Sequence, residues 1–582
     1  MKNLRTLLKY FARYKKKLFL GFIFILLSNA GTVYVPLLLK DAVNTLQHNA
    51  TEAQLLRYAL FIIGASLFAG IFRFLIRETI IVVSREIEYD LRRDFWSHIQ
   101  RLPLRFFQNN STGNIMAHAT NDINAVRMFL GPAVMYSIDT MTRLLIVLVI
   151  LLMLNAELTL YSLIPLPFLS LLIYKVGKKI HEKFTIIQEK FSQLTTMVQE
   201  SFSGIRVIKS YVREQNEMDR YAVESKDYMK KEMALVKIQA FFMPILFLIT
   251  GLSIIIVIWV GGTKTINGTM DLGEIAAFIV YLGILIWPMI ALGWVINLIQ
   301  QGEASMRRLN KIFNEPYEIE DDESTDYSIK NIRGGIELKN VSFRYSDVHP
   351  WILKDVDLKI PEGSTIAVMG YTGAGKTSFI NLIPRLYDCT KGEILIDGKN
   401  VKRIPLDILR KNIGIVPQEP FLFSDTILNN INYGLKEIDS KRVHEVSGIA
   451  YFDKDVEDFP HKYETIVGER GITFSGGQKQ RCSIARALAI DPKILILDDS
   501  FSSVDTNTEE EILKNLKQFM YGRTSIIISH RISTVKDADH IIVLHDGKIA
   551  EQGKHEELVA KDGIYASLHY KQLLEEELEE LK

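Results

Sequence analysis

Cysteine is scarce in this sequence, and its scarcity excludes one class of protein. Two cysteines, Cys389 and Cys482, occur in 582 residues. Small secreted domains that depend on disulfide bonds carry many more for their length. The soluble part of the chain is therefore expected to face a reducing compartment.

Net charge is almost absent as well. The 69 lysines and arginines are balanced by 68 acidic residues, which leaves a formal charge of +1 at pH 7. A protein that binds nucleic acid needs a basic surface that neutralises phosphates. Nucleic acid is therefore not expected as a partner.

What the sequence has is length and segregated apolar residues. A chain of 582 residues is too long for one hydrophobic core. Its mean hydropathy is +0.10 although 24% of its residues are charged, which requires that apolar residues gather in continuous runs. A basic arm precedes the first run, but no small-residue cleavage site follows it, so no cleavable signal peptide is expected.

Six apolar segments in the first half each have about the length that spans a bilayer. They are Phe19 to Leu39, Tyr58 to Ile76, Ala133 to Leu154, Leu158 to Tyr174, Ala240 to Val260 and Ile275 to Ile299. So many segments of this length indicate membrane helices rather than buried helices of a soluble fold. Lysine and arginine concentrate at the N-terminus and in the two long connections, which the positive-inside rule places in the cytoplasm.

Each long cytoplasmic connection contains a helix break followed by a short segment. These segments are Asn114 to Thr120 and Ile205 to Tyr211. Such a tip either docks on another domain or is a plain turn between two helices.

Two opposite charges lie within the third apolar segment. Asp139 and Arg143 are four residues apart and therefore share one face of a helix. Charges inside a membrane are costly, so the pair either lines a polar path or forms a structural ion pair.

The composition changes sharply after the last apolar segment. Asn314 to Asp326 is acidic, polar and without apolar periodicity, which is typical of a linker. Beyond it, alternating runs such as Ile336 to Phe343 and Leu353 to Ile360 predict strands, and later apolar runs alternate with helical stretches. We therefore expect an all-α six-helix transmembrane domain over residues 1–313, an acidic linker over 314–330 and an α/β domain over 331–582.

The stretch GYTGAGKT, from Gly370 to Thr377, fits the phosphate-binding pattern G-x-x-x-x-G-K-[ST]. An apolar run before it predicts a strand and the residues after it predict a helix, which is the context that a P-loop requires. Its backbone N–H groups and Lys376 would hold phosphates, and Thr377 would hold Mg²⁺. The predicted ATP ligands here are Gly370, Tyr371, Thr372, Gly373, Ala374, Gly375, Lys376, Thr377 and Ser378.

Two further stretches suit nucleotide chemistry. The run ILILDD predicts a strand that ends in two carboxylates, of which Asp498 suits Mg²⁺. The run FSGGQ offers glycines and a hydroxyl at a helix start, which again suits phosphate. A second phosphate site in one domain suggests that it serves a nucleotide bound mainly by another copy. Its predicted ligands are Ser475, Gly476, Gly477 and Gln478.

These motifs, in this order, resemble those of an exporter-type ABC transporter, a half-transporter with one membrane domain and one nucleotide-binding domain. The resemblance covers nearly the whole chain, and with the P-loop motif it implies that residues 331–582 form an α/β P-loop ATPase domain. It implies that Tyr345 stacks on adenine, that Gln418 senses Mg²⁺ and water, and that His530 contacts the γ-phosphate.

The same resemblance implies roles for other stretches. Phe474 replaces the usual leucine of the signature, and Ser502 to Asp505 resembles the D-loop. Gly468 to Gly471 resembles a loop that senses the membrane domain. The two tips described above resemble coupling helices, one of which reaches the opposite subunit in this family.

A second departure from the family pattern concerns the residue that would activate water. The residue after the Mg²⁺ aspartate is usually a glutamate that orients the attacking water, and here it is Asp499. Its carboxylate falls back by roughly 1 Å, which can lower the rate on the order of a hundredfold. The site is expected to bind ATP well and to hydrolyse it slowly. The chain thus resembles the degenerate-site subunit of a heterodimeric exporter, with a slow homodimer as the alternative.

The resemblance as a whole implies a function. It implies ATP-driven export of hydrophobic or amphipathic small molecules, lipids or peptides across the cytoplasmic membrane, with ATP and Mg²⁺ as cofactors. The N-terminus and the ATPase domain would be cytoplasmic. A regulatory or channel-like subunit that ATP gates is the second interpretation, and the residues do not specify the substrate.

Overall fold

The computed structural model describes residues 2–47, 51–468 and 474–580. Contacts between residues divide the chain into two units. The helical unit comprises Met1–Gln100 and Thr112–Glu315, and the sheet unit comprises Arg101–Ser111 and Pro316–Lys582. The chain therefore enters the sheet unit twice.

The first 313 residues are almost entirely helical. The helices are α1 (Leu8–Arg13), α2 (Lys15–Gln47), α3 (Glu52–Ile76), α4 (Val82–Ile99), α5 (Leu104–Asn109), α6 (Thr112–Ala117), α7 (Ile123–Met128), α8 (Val134–Leu163), α9 (Pro165–Ser203), α10 (Ile205–Ser210), α11 (Glu214–Ile266) and α12 (Leu272–Phe313). A 3₁₀ turn at Lys2–Leu7 precedes α1, and single π-helical turns join α3 to α4, α6 to α7 and α7 to α8.

Among the described residues, five helices are long and apolar enough to cross a membrane. They are Lys15–Gln47, Glu52–Ile99, Thr112–Leu163, Glu214–Ile266 and Leu272–Phe313. Five of the six predicted segments lie on these helices. The remaining one, Leu158 to Tyr174, begins in α8 and continues in α9 after an interruption at Ile164, next to Pro165. Proline lacks the N–H that would continue the helical hydrogen bonds.

The third and fourth predicted segments are separated where the sequence becomes polar. Asn155 has extended backbone angles, φ −159° and ψ 104°, inside the range of α8. Its Oδ1 accepts a hydrogen bond of 2.9 Å from the N–H of Leu158. Asn155 therefore ends one helix and caps the next.

The charges in the third segment form a shared network. Nη2 of Arg143 donates to both carboxylate oxygens of Asp139 at 2.9 Å. Nε of Arg143 donates to Oδ1 of Asn29 at 3.1 Å, and Nδ2 of Asn29 donates to Thr142 at 2.8 Å. The network joins α2 to α8, and this geometry favours the structural ion pair over a polar path.

The two predicted tips differ in outcome. Ile205–Ser210 forms the short helix α10, as expected. The break predicted before Asn114 is present, because Asn110 is extended between α5 and α6. Asn114 to Thr120 itself lies in helical backbone that continues into α7, so the expected short segment there is wrong. The short helix of this connection is α5, which follows Pro103. Proline disfavours helical backbone at the residue before it. The helix α4 therefore ends at Ile99, before the polar residues that precede Asn114.

The described part of the sheet unit contains two sheets, and predicted apolar runs such as Ile336 to Phe343 and Leu353 to Ile360 coincide with strands. The strands are β1 (Ile336–Phe343), β2 (Leu353–Ile360), β3 (Thr365–Met369), β4 (Lys391–Ile396), β5 (Lys399–Asn400), β6 (Ile413–Val416), β7 (Ile494–Asp498), β8 (Thr524–Ile528), β9 (His540–His545) and β10 (Lys548–Gly553). The antiparallel sheet has the order β2-β1-β4-β5, and the larger sheet has the order β10-β9-β3-β8-β7-β6. In the larger sheet β6, β7, β8, β3 and β9 are parallel. This is the expected α/β domain with a smaller β portion.

Helices and short 3₁₀ turns cover these sheets. The helices are α13 (Lys376–Leu382), α14 (Leu406–Lys411), α15 (Ile427–Asn432), α16 (Ser440–Ile449), α17 (Asp453–Asp458), α18 (Gly476–Ala489), α19 (Thr506–Met520), α20 (Ile532–Val535), α21 (His555–Ala560) and α22 (Ile564–Glu580), and the 3₁₀ turns are Val401–Arg403 and Lys462–Glu464. Because β3, β7 and β8 are adjacent and parallel, their carboxyl ends meet at one edge, where the P-loop begins.

The end of the predicted linker packs on the sheet unit. Oδ1 of Asp321 accepts a hydrogen bond of 3.0 Å from the N–H of Leu406. The N–H of Asp326 donates to the carbonyl of Arg403 at 2.8 Å. Further along, the side chain of Ile329 is buried in the core. From Asp321 onward the acidic segment is therefore part of this fold.

Candidate nucleotide site

The P-loop adopts backbone conformations that only glycine accommodates easily. It connects β3 to α13, and the φ angles are +85° at Gly373 and +146° at Gly370. A Cβ atom on Gly370 would lie 2.3 Å from the carbonyl oxygen of Leu544. The loop can therefore pass close to the neighbouring strand end only because this residue lacks a side chain.

A cavity of about 310 Å³ opens in front of this loop. It brings together residues that the sequence places more than a hundred positions apart. Its lining residues are Ile352, Thr372, Gly373, Ala374, Gly375, Lys376, Thr377, Ser378, Gln418, Asp498, Asp499, Ile528 and His530. The predicted catalytic residues Gln418, Asp499 and His530 are among them. The predicted Mg²⁺ ligands Thr377, Gln418 and Asp498 are among them as well. Gly370 and Tyr371 precede the part of the loop that lines it.

The backbone carbonyls of the P-loop hold the side chain of Lys376 inside the loop. Its Nζ donates to the carbonyl oxygens of Gly370 at 2.8 Å and Tyr371 at 3.1 Å. Burial lowers the pKa of Lys376, and the carboxylates of Asp498 and Asp499 offset part of that effect. A buried ammonium of this kind gains when phosphate oxygens approach it.

Asp498 ends β7 and faces the start of α13. Its Oδ2 accepts a hydrogen bond of 3.0 Å from the hydroxyl of Thr377. Burial raises the pKa of Asp498, and the hydrogen bond from Thr377 opposes that rise. Hydroxyl, carboxylate and amide oxygens are the ligands that Mg²⁺ prefers, so Thr377, Asp498 and Gln418 fit this ion.

Asp499 has a left-handed backbone, with φ +45°. Its N–H donates to the carbonyl of Ile528 at 2.9 Å, which fixes this turn against β8. Aspartate and asparagine tolerate left-handed angles better than most residues that have a Cβ atom. The backbone here therefore suits aspartate, and its half-buried carboxylate lines the cavity.

His530 follows β8 and reaches the same cavity. Burial lowers the pKa of His530, and the positive charge of Lys376 lowers it further, while Asp499 opposes both effects. A neutral imidazole is therefore favoured at pH 7 before a nucleotide binds.

Tyr345 takes a position beside the cavity rather than in its lining. Its hydroxyl shares a hydrogen bond of 2.8 Å with the hydroxyl of Ser378. Its ring packs edge-on against Phe343 and Tyr387, with centroids 5.0 and 5.3 Å away. The predicted stacking on adenine stays a prediction, with Tyr345 anchored next to the P-loop helix.

The FSGGQ stretch lies at the start of α18, outside this cavity. Ser475 and Gln478 form a capping box, in which Ser475 Oγ accepts from the N–H of Gln478 at 3.2 Å. Phe474 stacks on Phe459 with the two rings 4° from parallel, which explains how a larger residue replaces leucine here. Of the predicted loop Gly468 to Gly471, the last three residues lie outside the described residues.

Two buried residues were not predicted from the sequence, one that contacts the Ser502 to Asp505 segment and one in the helix that follows it. Gln480 donates to Ser502 Oγ at 2.9 Å and accepts from the N–H of Ser503 at 3.0 Å. Glu509 is buried in the first turn of α19. One signal for Glu509 was present, because it shares a helix face with the apolar Ile512, Leu516 and Phe519.

Comparisons with known proteins agree with this geometry. The family described as ABC transporter transmembrane region matches residues 18–289, and the family described as ABC transporter matches residues 353–502. The probable multidrug resistance ABC transporter ATP-binding/permease protein YheI of Bacillus subtilis (strain 168) is 36% identical over 97% of both chains. The ATP-dependent lipid A-core flippase of Syntrophus aciditrophicus (strain SB) is 35% identical, over 99% of this chain and 95% of the flippase. The solved structure of a bacterial Atm1-family ABC exporter with ATP bound matches with a TM-score of 0.78 at 27% identity, over 96% of this chain and 99% of that one.

Proposed function

Since this chain belongs to the ABC transporter family, we propose that it exports hydrophobic or amphipathic molecules across the cytoplasmic membrane as one half of a heterodimer. Membership already establishes the coarser statement, that the chain is a membrane-embedded ATPase coupled to export and uses ATP with Mg²⁺. The proposal adds the substrate class, the membrane and the partner.

One observation carries the proposed roles of the site residues. Lys376, Gln418, Asp499 and His530 line one cavity although they come from four separate parts of the chain. Convergence of a phosphate-binding loop with a carboxylate, an amide and an imidazole is what phosphoryl transfer to water requires.

In the proposed reaction, Lys376 and the N–H groups of the loop hold the phosphates of ATP. Gln418 orients a water molecule, and Asp499 accepts its proton as the water oxygen bonds to the γ-phosphorus and the bond to ADP breaks. His530 stabilises the charge on the γ-phosphate. Mg²⁺ would be held by Thr377, Gln418 and Asp498 and, when bound, neutralises phosphate charge.

The partner follows from the place of the FSGGQ stretch. Ser475 to Gln478 cap a helix outside the cavity formed by their own chain. This arrangement supports a composite site, in which the stretch completes the nucleotide site of a second subunit. Dimerisation then gives two composite sites, one of which uses the shortened base Asp499.

Two features of Asp499 favour a heterodimer: its side chain is shorter than that of glutamate, and its backbone is left-handed. The left-handed turn at Asp499 suits aspartate better than glutamate, so the sequence and the conformation are matched to each other. A slow site of this kind would pair with a subunit that carries glutamate at the equivalent position. A homodimer with slow turnover is the alternative.

The proposed substrate class rests on the relatives. One is described as a probable multidrug resistance transporter and another as a lipid A-core flippase. These descriptions support a hydrophobic or amphipathic substrate for this chain. We assign the membrane domain to residues 1–313, the linker to 314–330 and the ATPase domain to 331–582. The basic connections support a cytoplasmic N-terminus and a cytoplasmic ATPase domain.

Transport is tested in vesicles that hold the purified chain, alone and with a candidate partner half-transporter encoded next to it. We expect ATP-dependent accumulation of a hydrophobic fluorescent dye or lipid analogue against its gradient. The Lys376→Ala variant is the inactive control, and Lys514→Ala, an exposed lysine on α19, is the matched control. Flux that runs only down the gradient would show an ATP-gated channel instead of an exporter.

Pairing is tested by co-expression and purification through a tag on this chain. We expect the partner with glutamate at its base position to co-purify and to raise the ATPase rate well above that of this chain alone. Brisk turnover by this chain as a homodimer would overturn the heterodimer proposal but would leave export untouched.

A further inference from the structure

Glu509 is a buried carboxylate close to the nucleotide site but outside it. It lies in the first turn of α19, and its side chain is 3% exposed. The residue that caps this helix is Asp505, the last residue of the Ser502 to Asp505 segment. An ionised carboxylate is rarely buried unless charged or polar groups compensate it.

The groups that compensate Glu509 come from the segment that carries His530. Oε2 of Glu509 forms an ion pair with the guanidinium of Arg531, the residue directly after His530. Its Oε1 accepts a hydrogen bond of 2.6 Å from the hydroxyl of Thr534, which is also buried. Both carboxylate oxygens therefore hold the backbone that follows His530.

Two other contacts hold the same segment. The N–H of Arg531 donates to Ser529 Oγ at 3.0 Å, which closes the backbone around His530. The N–H of Ile532 donates to Oε1 of Gln572, on α22, at 2.7 Å. The backbone on both sides of His530 is thus fixed, while its side chain faces the cavity.

From this arrangement we infer that Glu509 is a positioning residue for His530. It joins the Ser502 to Asp505 end of α19 to the histidine segment, so that the two move as one body. The inference rests on the proposed role of His530 in hydrolysis. A purely structural ion pair would stabilise the fold without affecting the geometry of the cavity.

The test uses the full-length chain in lipid nanodiscs and measures kcat and KM for ATP separately. Glu509→Gln keeps the size of the side chain but removes its charge, and Glu510→Gln changes the exposed neighbour as a control. We expect Glu509→Gln to lower kcat about tenfold or more through misplacement of His530, while KM stays within about threefold. The control should match the wild type.

A second pair of variants separates positioning from folding. Arg531→Lys keeps the charge that Glu509 needs and should retain most of kcat, whereas Arg531→Ala should lose as much as Glu509→Gln. Thermal unfolding of each variant reports its folded fraction. A kcat of Glu509→Gln equal to that of the wild type would overturn the inference. A loss that follows the folded fraction, with Arg531→Lys no better than Arg531→Ala, would overturn it too.

Failure of the inference is distinguishable from failure of the proposed function. Wild-type chain that hydrolyses ATP, together with His530→Ala that does not, supports the role of His530 whatever the Glu509 variants do. If His530→Ala hydrolyses ATP as fast as the wild type, the proposed role of His530 fails, and the positioning role of Glu509 fails with it.

Discussion

The hydroxyl of Thr377 and the carboxylate of Asp498 are 3.0 Å apart, although 121 residues separate them in sequence. The bond joins the start of α13 to the end of β7, and it holds a hydroxyl and a carboxylate oxygen on the same side of the cavity. Because burial raises the pKa of Asp498, a cation that binds here relieves an unfavourable buried charge.

The first prediction concerns the Mg²⁺ dependence of ATP binding. Asp498→Asn removes the charge but keeps an oxygen that Thr377 can donate to. The affinity for ATP with Mg²⁺ should fall by about tenfold or more, towards the affinity with a chelator present. Titration of a fluorescent ATP analogue with and without Mg²⁺ measures this, and Asp407→Asn on the exposed face of α14 is the control. An unchanged difference between the two conditions would exclude Asp498 as a ligand.

The second prediction concerns the base. Asp499→Glu should raise the ATPase rate of the chain alone by about tenfold or more, because the longer carboxylate reaches the water. The same change should lower stability by about 1 kcal/mol, because glutamate adopts the left-handed backbone at φ +45° less readily. A phosphate-release assay and a thermal melt measure the two effects. Asp499→Asn is the control and should abolish hydrolysis, and equal rates for wild type and Asp499→Glu would contradict the prediction.

The third prediction concerns protons. Burial and Lys376 hold the pKa of His530 below its ordinary value of 6.5, so the unliganded histidine stays neutral until the pH falls below that value. The negative charge of ATP raises the pKa of His530. The imidazole should therefore take up protons on ATP binding at about pH 6 and not at about pH 8.

Calorimetry in two buffers with different ionisation enthalpies measures this proton uptake. ATP itself also exchanges protons, so the quantity of interest is the difference between wild type and His530→Gln. The wild type should take up more protons than His530→Gln at about pH 6, and the two should be equal at about pH 8. No difference at the lower pH would place His530 away from the bound phosphates.

The fourth prediction concerns the pair within the helical unit. Arg143→Met leaves Asp139 without its cation and should destabilise the chain by about 2–4 kcal/mol. The double variant Asp139→Asn with Arg143→Met should lose less than the sum of the single variants, because each single variant leaves one charge unpaired and the double variant leaves none. Thermal unfolding in nanodiscs measures all three. Additive losses would show that the two side chains act independently.

Local patterns predicted the parts of the molecule that local stereochemistry determines. Leu353 to Ile360 alternates apolar and polar residues, and β2 has those bounds. The P-loop spacing likewise placed Lys376 and Thr377 at the start of a helix beside a strand. In both cases the residues that decide the conformation are close neighbours in sequence.

Contacts between distant residues escaped prediction. The place of Tyr345 depends on its bond to Ser378, which lies 33 residues later. The role of Glu509 depends on Arg531, 22 residues away, which no spacing rule connects to it. The short helix α5 was not predicted, although Pro103 directly precedes it. Such features depend on which surfaces meet after folding.

Residues Arg101–Ser111 belong to the sheet unit although they interrupt the helical one. Arg105 pairs with Glu318 and, with Tyr387, lines a cavity of about 210 Å³ within that unit. A recombinant fragment that starts at Pro316 would lack this wall and expose the surface beneath it. Exchanging this ATPase between related transporters therefore needs three junctions in the gene rather than one.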